Sequence, residues 1–229
     1  MIAKPARTLF KYSLLTLLVF VVISFALVGA LRFLNPPTTA FIIAWQWENG
    51  RRAHQNWQPL EQISPHLQLA VITSEDQKFP HHFGFDFDSI KKALSESKGR
   101  PRGASTITQQ VAKNLFLWNG RSYVRKLLEA WLTFVIECLW PKQRILEHYL
   151  NIAEFGNGVY GAQAAAQTFY GRPARQLTPW QAGLLAAVLP NPKVMSAAQP
   201  SDYVQTRARA IITAGQKLGG TGYLRQLNP

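Results

Sequence analysis

Cysteine is almost absent from this chain: Cys138 stands alone among 229 residues. One thiol cannot close an intramolecular disulfide or build a cysteine metal site, so disulfide scaffolds and zinc ribbons are excluded, while the redox compartment stays open. Acids are scarce too, with 12 Asp and Glu against 25 Lys and Arg and a net charge of +13. Disorder and collagen-like repetition are excluded by a hydrophobic share of 47% and by the lack of any internal repeat. Sustained strand alternation with hairpin turns is also missing. What remains is a folded, mainly α chain whose length suits one domain, with two lobes at most.

Against this background one long uncharged run stands out. Tyr12 to Leu31 gives twenty residues rich in Leu, Val, Ile and Phe, about 30 Å of helix and the thickness of a bilayer core. A cleavable signal peptide has a shorter apolar stretch and a small-residue cleavage site, whereas Arg32, Phe33, Leu34 and Asn35 follow here. The segment reads as a single transmembrane anchor over residues 12–34, behind a basic N-terminus over 1–11. Lys4, Arg7 and Lys11 precede the span and only Arg32 closely follows it, so the positive-inside rule keeps the N-terminus cytoplasmic and puts the body outside. Residues 35–61 hold Pro36, Pro37, Gly50, Pro59, Trp45, Trp47 and Trp57 without helical periodicity. They read as a juxtamembrane connector with aromatics at headgroup level.

The body, residues 62–229, is helical almost throughout. Ser64-Pro65 caps a helix running to Glu75, and Thr106-Ile-Thr-Gln109 is a capping-box pattern opening a second that stops near Asn119-Gly120. An apolar stripe from Val124 to Cys138 ends before Pro141, and further helices are expected at 142–155, 159–169, 178–189 and 202–218. Charge is uneven: nine Lys or Arg and a single acid, Glu96, lie between Lys91 and Lys126, around a loop expected at Ser95 to Gly103. Such a concentration of cations asks for an anionic partner, and on an outward-facing body nucleic acid is the weakest choice against lipid or a phosphate-bearing substrate.

Twelve acids can be screened singly. Glu75 and Asp76 end a helix and precede a loop dense in aromatics and His. The helix dipole, the adjacent carboxylate and burial among Phe79, Phe83 and Phe85 would all raise the Glu75 pKa, as a general acid or base near neutral pH requires, although a solvated helix end is as common. Thr106, Gln110 and Lys113 fall at i, i+4 and i+7, placing a hydroxyl, an amide and an ammonium on one helix face. With Arg121, Arg125 and Lys126 they offer cations of different reach around one pyrophosphate. For Arg125 and Glu129, spaced i to i+4, the plain alternative is an ordinary intrahelical ion pair.

These residues bring a family into view. Glu75-Asp76-Gln-Lys-Phe79-Pro-His-His82-Phe-Gly84-Phe-Asp86 resembles the first motif of the peptidoglycan glycosyltransferases, and Gly103-Ala-Ser105-Thr106-Ile-Thr-Gln109-Gln110-Val-Ala-Lys113-Asn114 their second. Arg125-Lys126-Leu-Leu-Glu129-Ala130 resembles the third, Ile145 to Asn151 with Phe155-Gly156 and Gly161-Ala162 the fourth, and Ala182 to Pro192 the fifth. Five ordered motifs are far more specific than one. The resemblance, closest to the monofunctional members with one anchor, implies a lysozyme-like, two-lobed helical domain with a membrane-dipping part. It implies polymerisation of lipid II onto a growing glycan strand at the bacterial inner membrane, with the domain in the periplasm and inversion at the anomeric carbon. It assigns Glu75 as general base and Glu129 as the second essential acid, organising the cationic site and an Mg²⁺ or Mn²⁺ ion. Asp76, Phe79 and His82 would shape the acceptor side, and Ser105, Thr106, Gln110, Lys113, Arg121, Arg125 and Lys126 would contact substrate.

Two rival readings use the same residues. A membrane-anchored lysozyme-like hydrolase explains one carboxylate in an aromatic cleft but leaves the cations without a role. A non-enzymatic scaffold would use the basic surface to hold lipids. Ser95-Glu-Ser-Lys98 fits the short transpeptidase pattern, but no Lys-Thr-Gly or Ser-x-Asn partner follows. Transpeptidation would then come from other cell-wall synthesis or division proteins. The histidines lack ligand-like spacing, so no protein-built metal site is expected.

Overall fold

The computed structural model describes residues 3–88, 91 and 105–228. The Ser95 to Gly103 loop, its Ser95-to-Lys98 pattern and the bases Lys92, Lys98, Arg100 and Arg102 lie outside the described residues. Helix α1, Ala3–Leu31, contains a 24-residue apolar stretch, Thr8–Leu31, whose most apolar 18 residues have mean hydropathy 2.9 and are 11% buried. It is long and apolar enough to cross a bilayer, and most of its apolar side chains point outward, while Val28 is buried in the core of the body with Phe25 and Leu31 packed against it.

The body is mainly α, as the helical periodicities require. Ser64 accepts from the His66 N–H and Pro65 occupies the first turn of α3, Pro65–Glu75, in which Leu67 to Thr73 are all buried. A helix buried on every face has to lie at the centre, and α3 is packed between α8, Pro179–Val188, and α9, Asp202–Lys217. The expected capping box is made: the Thr106 side chain accepts from Gln109 N and the Gln109 side chain from Thr106 N, opening α4, Ile107–Phe116. Ser122 caps α5, Tyr123–Leu139, which ends ahead of Pro141 and is followed by α6, Lys142–Ile152. Together α4, α5 and α6 form the second packed group.

Two expectations need correction. The connector 35–61 is not free of helix, because Thr39 caps α2, Ala40–Asn49, and Gly50 closes it with φ 62°. Its apolar residues face both inward and outward, so it carries no single stripe for periodicity to find. Ile42 and Trp45 bury against Tyr160, and Trp45 Nε1 donates to Asn157 Oδ1 at 2.9 Å. Of the three tryptophans thought to reach headgroups, Trp45 is core and Trp57 donates to Glu147, leaving Trp47 exposed. The second correction concerns 159–169. Val159–Tyr160 form β3 between β1, His54–Gln55, and β2, Glu154–Gly156, so α7 starts only at Ala162 and runs to Tyr170.

Helix α1 does not simply enter the body at one end. Trp131 on α5 donates to Ser24 Oγ at 3.1 Å, and the Phe20 and Phe25 rings lie 6.2 Å from its ring. Trp140 lies at the level of Val28, whose carbonyl accepts its N–H. From Trp140 back to Trp131, α5 therefore retraces α1, and at 1.5 Å per residue Ser24 is about 10 Å along the helix from Leu31.

Candidate active site

The site forms where the end of α3 meets α4. Glu75 is the last residue of α3, and its Oε2 accepts from Gln110 Nε2 at 3.0 Å while Ser74 Oγ donates to Oε1 at 3.3 Å. Gln110 is itself held by Tyr149 on α6, whose buried hydroxyl donates to Gln110 Oε1 at 3.2 Å. Burial raises the Glu75 pKa; the Gln110 bond, the Arg207 charge and the Ser74 bond oppose it, and the Asp76 charge adds a little. The expected direction is therefore present, but desolvation dominates and the neighbouring carboxylate contributes least.

Asp76 has a different task. Its Oδ2 accepts the Ile107 N–H at 3.0 Å and its Oδ1 pairs with His82 Nε2 at 2.8 Å. The first N–H groups of a helix have no partner inside it, so this buried carboxylate fastens α4 to the end of α3. The loop after it is pinned twice more. Thr106 Oγ1 donates to Gly84 O at 2.7 Å, and Lys142 Nζ donates to His82 O at 2.6 Å and to Glu137 Oε1 at 2.8 Å. Gly84 needs its missing side chain: φ is +75°, and a Cβ would come within 2.7 Å of Thr133 Cγ2.

The cations gather one turn further along α4. Lys113 is half-buried, its ammonium 5.3 Å from the centre of the Phe41 ring on α2. Desolvation lowers its pKa; Glu129 opposes this, Arg125 and Lys126 reinforce it, and the Glu75 charge raises it. The charge of Glu75 thus reaches Lys113, which lies one turn of α4 beyond Gln110, the residue that donates to Glu75. Glu129 is buried on α5, and its two oxygens each take one cation: Arg125 Nη1 at 2.5 Å and Lys126 Nζ at 2.5 Å. The ordinary surface pair is thereby replaced by a buried carboxylate drawing two cations toward Lys113.

Not every expected residue comes to the site. Phe79 is fully buried beneath the Lys142 ammonium, 4.6 Å away, where it forms part of the core. Thr106 is buried with its hydroxyl committed to Gly84 and the cap, so it holds the loop. Arg121 and Ser105 are exposed. Two groups that composition did not single out do belong to the site. Tyr149 lay inside the fourth motif without a role, and Arg207 on α9 acts on Glu75 although nothing in its local sequence marks it.

Beside the cations α5 turns an apolar face to the outside, with Tyr123, Val124, Leu127 and Phe134 exposed at helical spacing. Phe83 joins it, its ring 6.0 Å from that of Phe134. The same helix thus presents an exposed apolar face and a cation cluster side by side, and it packs along α1.

The site thus joins a desolvated carboxylate at the end of α3 to a group of cations one turn further along α4 and on α5. The chain belongs to the transglycosylase family, whose model matches residues 42–216. It is 50% identical to a biosynthetic peptidoglycan transglycosylase of Xanthomonas campestris pv. campestris, over 97% of this chain and 94% of that one. A protein of the same name from Pseudomonas fluorescens is 52% identical, with 97% and 95% covered, and one from Stutzerimonas stutzeri 50%, with 93% and 91%. The matched region begins inside α2, in keeping with the packing of the connector onto the body.

Proposed function

We propose that this chain polymerises lipid II into glycan strands at the bacterial inner membrane, releasing undecaprenyl diphosphate. The observation that carries the reading is the desolvated Glu75, held by Gln110 and Tyr149, whose charge reaches Lys113, the ammonium that also feels Glu129, Arg125 and Lys126. Ionised Glu75 takes the proton from the acceptor sugar's 4-hydroxyl as its oxygen attacks the donor's anomeric carbon. The bond from that carbon to the diphosphate breaks, and its electron pair leaves on the diphosphate oxygen. Charge growing on the leaving group is met by Lys113, Arg125 and Lys126, with Arg121 at the exposed edge, and their preorganisation is the main electrostatic contribution. Attack opposite the leaving group inverts the centre, in the place where an inverting glycosidase would admit water.

Asp76, His82, Thr106 and Phe79 serve as the frame that holds these groups, while Ser105 sits exposed beside them. A divalent ion at Glu129 does not fit this site: both carboxylate oxygens already accept from cations, and among the described residues no three His, Cys, Asp or Glu side chains gather. No step is routed through one. The N-terminus lies in the cytoplasm and the body in the periplasm, with residues 12–34 as the anchor and 62–229 as the glycosyltransferase domain. Cross-linking of the strands falls to other cell-wall proteins that work beside this one.

Chain growth on lipid II, and none on finished glycan, is the expected outcome when each is supplied separately. Glu75→Gln should reduce growth by roughly 100-fold or more, the usual contribution of a positioned base. Shortening of finished glycan without any growth would overturn the reading.

A further inference from the structure

The last carbonyls of α1 receive an unusual set of partners. A helix leaves its final four C=O groups without partners of its own, and most find water. Here Arg144 of α6 reaches back to donate from Nη2 to Leu31 O at 2.9 Å and Leu34 O at 2.8 Å, and from Nε to Leu31 O at 3.3 Å. His148, one turn along, adds Nε2 to Leu31 O at 3.1 Å, and Trp140 Nε1 donates to Val28 O at 2.8 Å. His148 is fully buried, stacked on Trp140 at 4.2 Å, and burial with the Arg144 charge pushes its pKa down to about 3. It is thus a neutral ring whose Nε2 carries the hydrogen at neutral pH. Glu147 completes the group by pairing with Arg144 while accepting from Trp57 Nε1 at 3.3 Å and Leu60 N at 3.2 Å.

Three donors from one helix and its preceding turn thus end the anchor, and one carboxylate ties the same guanidinium to the connector. A flexible leash needs none of this. We propose that Arg144 is a positioning residue: with His148 and Trp140 it clamps α1 to the body as a rigid strut, fixing the depth at which the Lys113 cluster meets the diphosphate of a bilayer-held donor. Because α5 retraces α1 from Val28 past Ser24, any tilt of the anchor carries Arg125, Lys126 and Glu129 up or down with it. The proposal rests on the polymerase reading, since only a donor embedded in the membrane makes depth matter.

The test uses the full chain in lipid nanodiscs, with Cys138→Ser as background and spin labels on Leu15→Cys in the anchor and Lys217→Cys in the body. The parent should give one narrow distance distribution, and Arg144→Gln a broad one. On long-chain lipid II in the same bilayer, Arg144→Gln should be about tenfold slower, while on a lipid II shortened until it dissolves in water it should match the parent. Arg144→Lys, which can reach one carbonyl, should fall between, and Trp140→Phe, which keeps the ring stack, should broaden the distances further when combined with Arg144→Gln. Narrow distances in that double variant would overturn the clamp. Equal losses on both substrates would also overturn it, by making Arg144 a residue of the fold alone. If the parent extended neither substrate the polymerase reading would fall, and the distances would still decide the clamp.

Discussion

Replacing Glu129 by Gln separates two accounts of the third motif by magnitude. An exposed i,i+4 ion pair contributes about 0.3–0.5 kcal/mol, so its loss would hardly register. Glu129 is in another regime, because its side chain is 4% exposed and that of Arg125 13%. Removing one member of a buried pair leaves the other uncompensated, at a cost of about 3–5 kcal/mol. Lys126 is 49% exposed and contributes little to that figure, since water takes over when the carboxylate goes. The lower end, about 3 kcal/mol, is therefore expected, which for a body of this size is a melting point lower by roughly 6–12 °C. Thermal unfolding of parent and variant in the same detergent, followed by near-ultraviolet circular dichroism, measures it. The double variant Arg125→Met with Glu129→Leu should recover the part of the loss that comes from Arg125, because that guanidinium is no longer stranded, while Lys113 still lacks the Glu129 charge. A loss under about 0.5 kcal/mol in Glu129→Gln would refute the idea of a buried charge cluster and return the pair to the solvated helix face.

Three further outcomes follow from the same geometry. Tyr149→Phe removes one buried hydroxyl from Gln110 and should cost about 1–3 kcal/mol in stability, with growth on lipid II slowed several-fold because Glu75 loses its orientation; unchanged rates would show that Gln110 needs no support. Glu75→Gln should raise the melting temperature at pH 8. The Glu75 pKa is raised on folding, so the folded state holds its proton more tightly and stability is lost as pH rises above the unfolded value of 4.5 through the folded one; the variant's advantage should therefore vanish below about pH 4, and an advantage independent of pH would refute the assignment. Gly161→Ala should lose on the order of 2–3 kcal/mol in denaturant unfolding, because φ is +85° and a Cβ would stand 2.7 Å from the Asn151 carbonyl oxygen; a neutral change would mean that the turn into α7 relaxes freely.

Local chemistry made several of these features legible in advance. The capping box at Thr106, the Ser64-Pro65 start and the stop before Pro141 are set by hydrogen bonds and steric limits within a few residues, so the boundaries of α3, α4 and α5 follow from neighbours in the chain. The long apolar helix is equally local, since its length and scarcity of charge suffice to cross a bilayer whatever the body does. The pairing of Glu75 with a cation-rich segment was visible as motifs, but not their roles. Phe79 and Thr106 carry the right chemistry for a substrate contact, and only packing turned one into core and the other into a latch. Helix α2 escaped notice because an apolar sequence facing both inward and outward has no period, and Arg207 because a charge acting through space leaves no mark on its own neighbours. The sequence by itself thus determined the long apolar helix, the caps and most of the other helices; the tertiary structure alone decided that burial rather than Asp76 raises the Glu75 pKa, that Arg207 acts on it and how the apolar helix is held against the body. Those are properties of long-range contacts, whose energies depend on water being excluded by parts of the chain far apart in sequence.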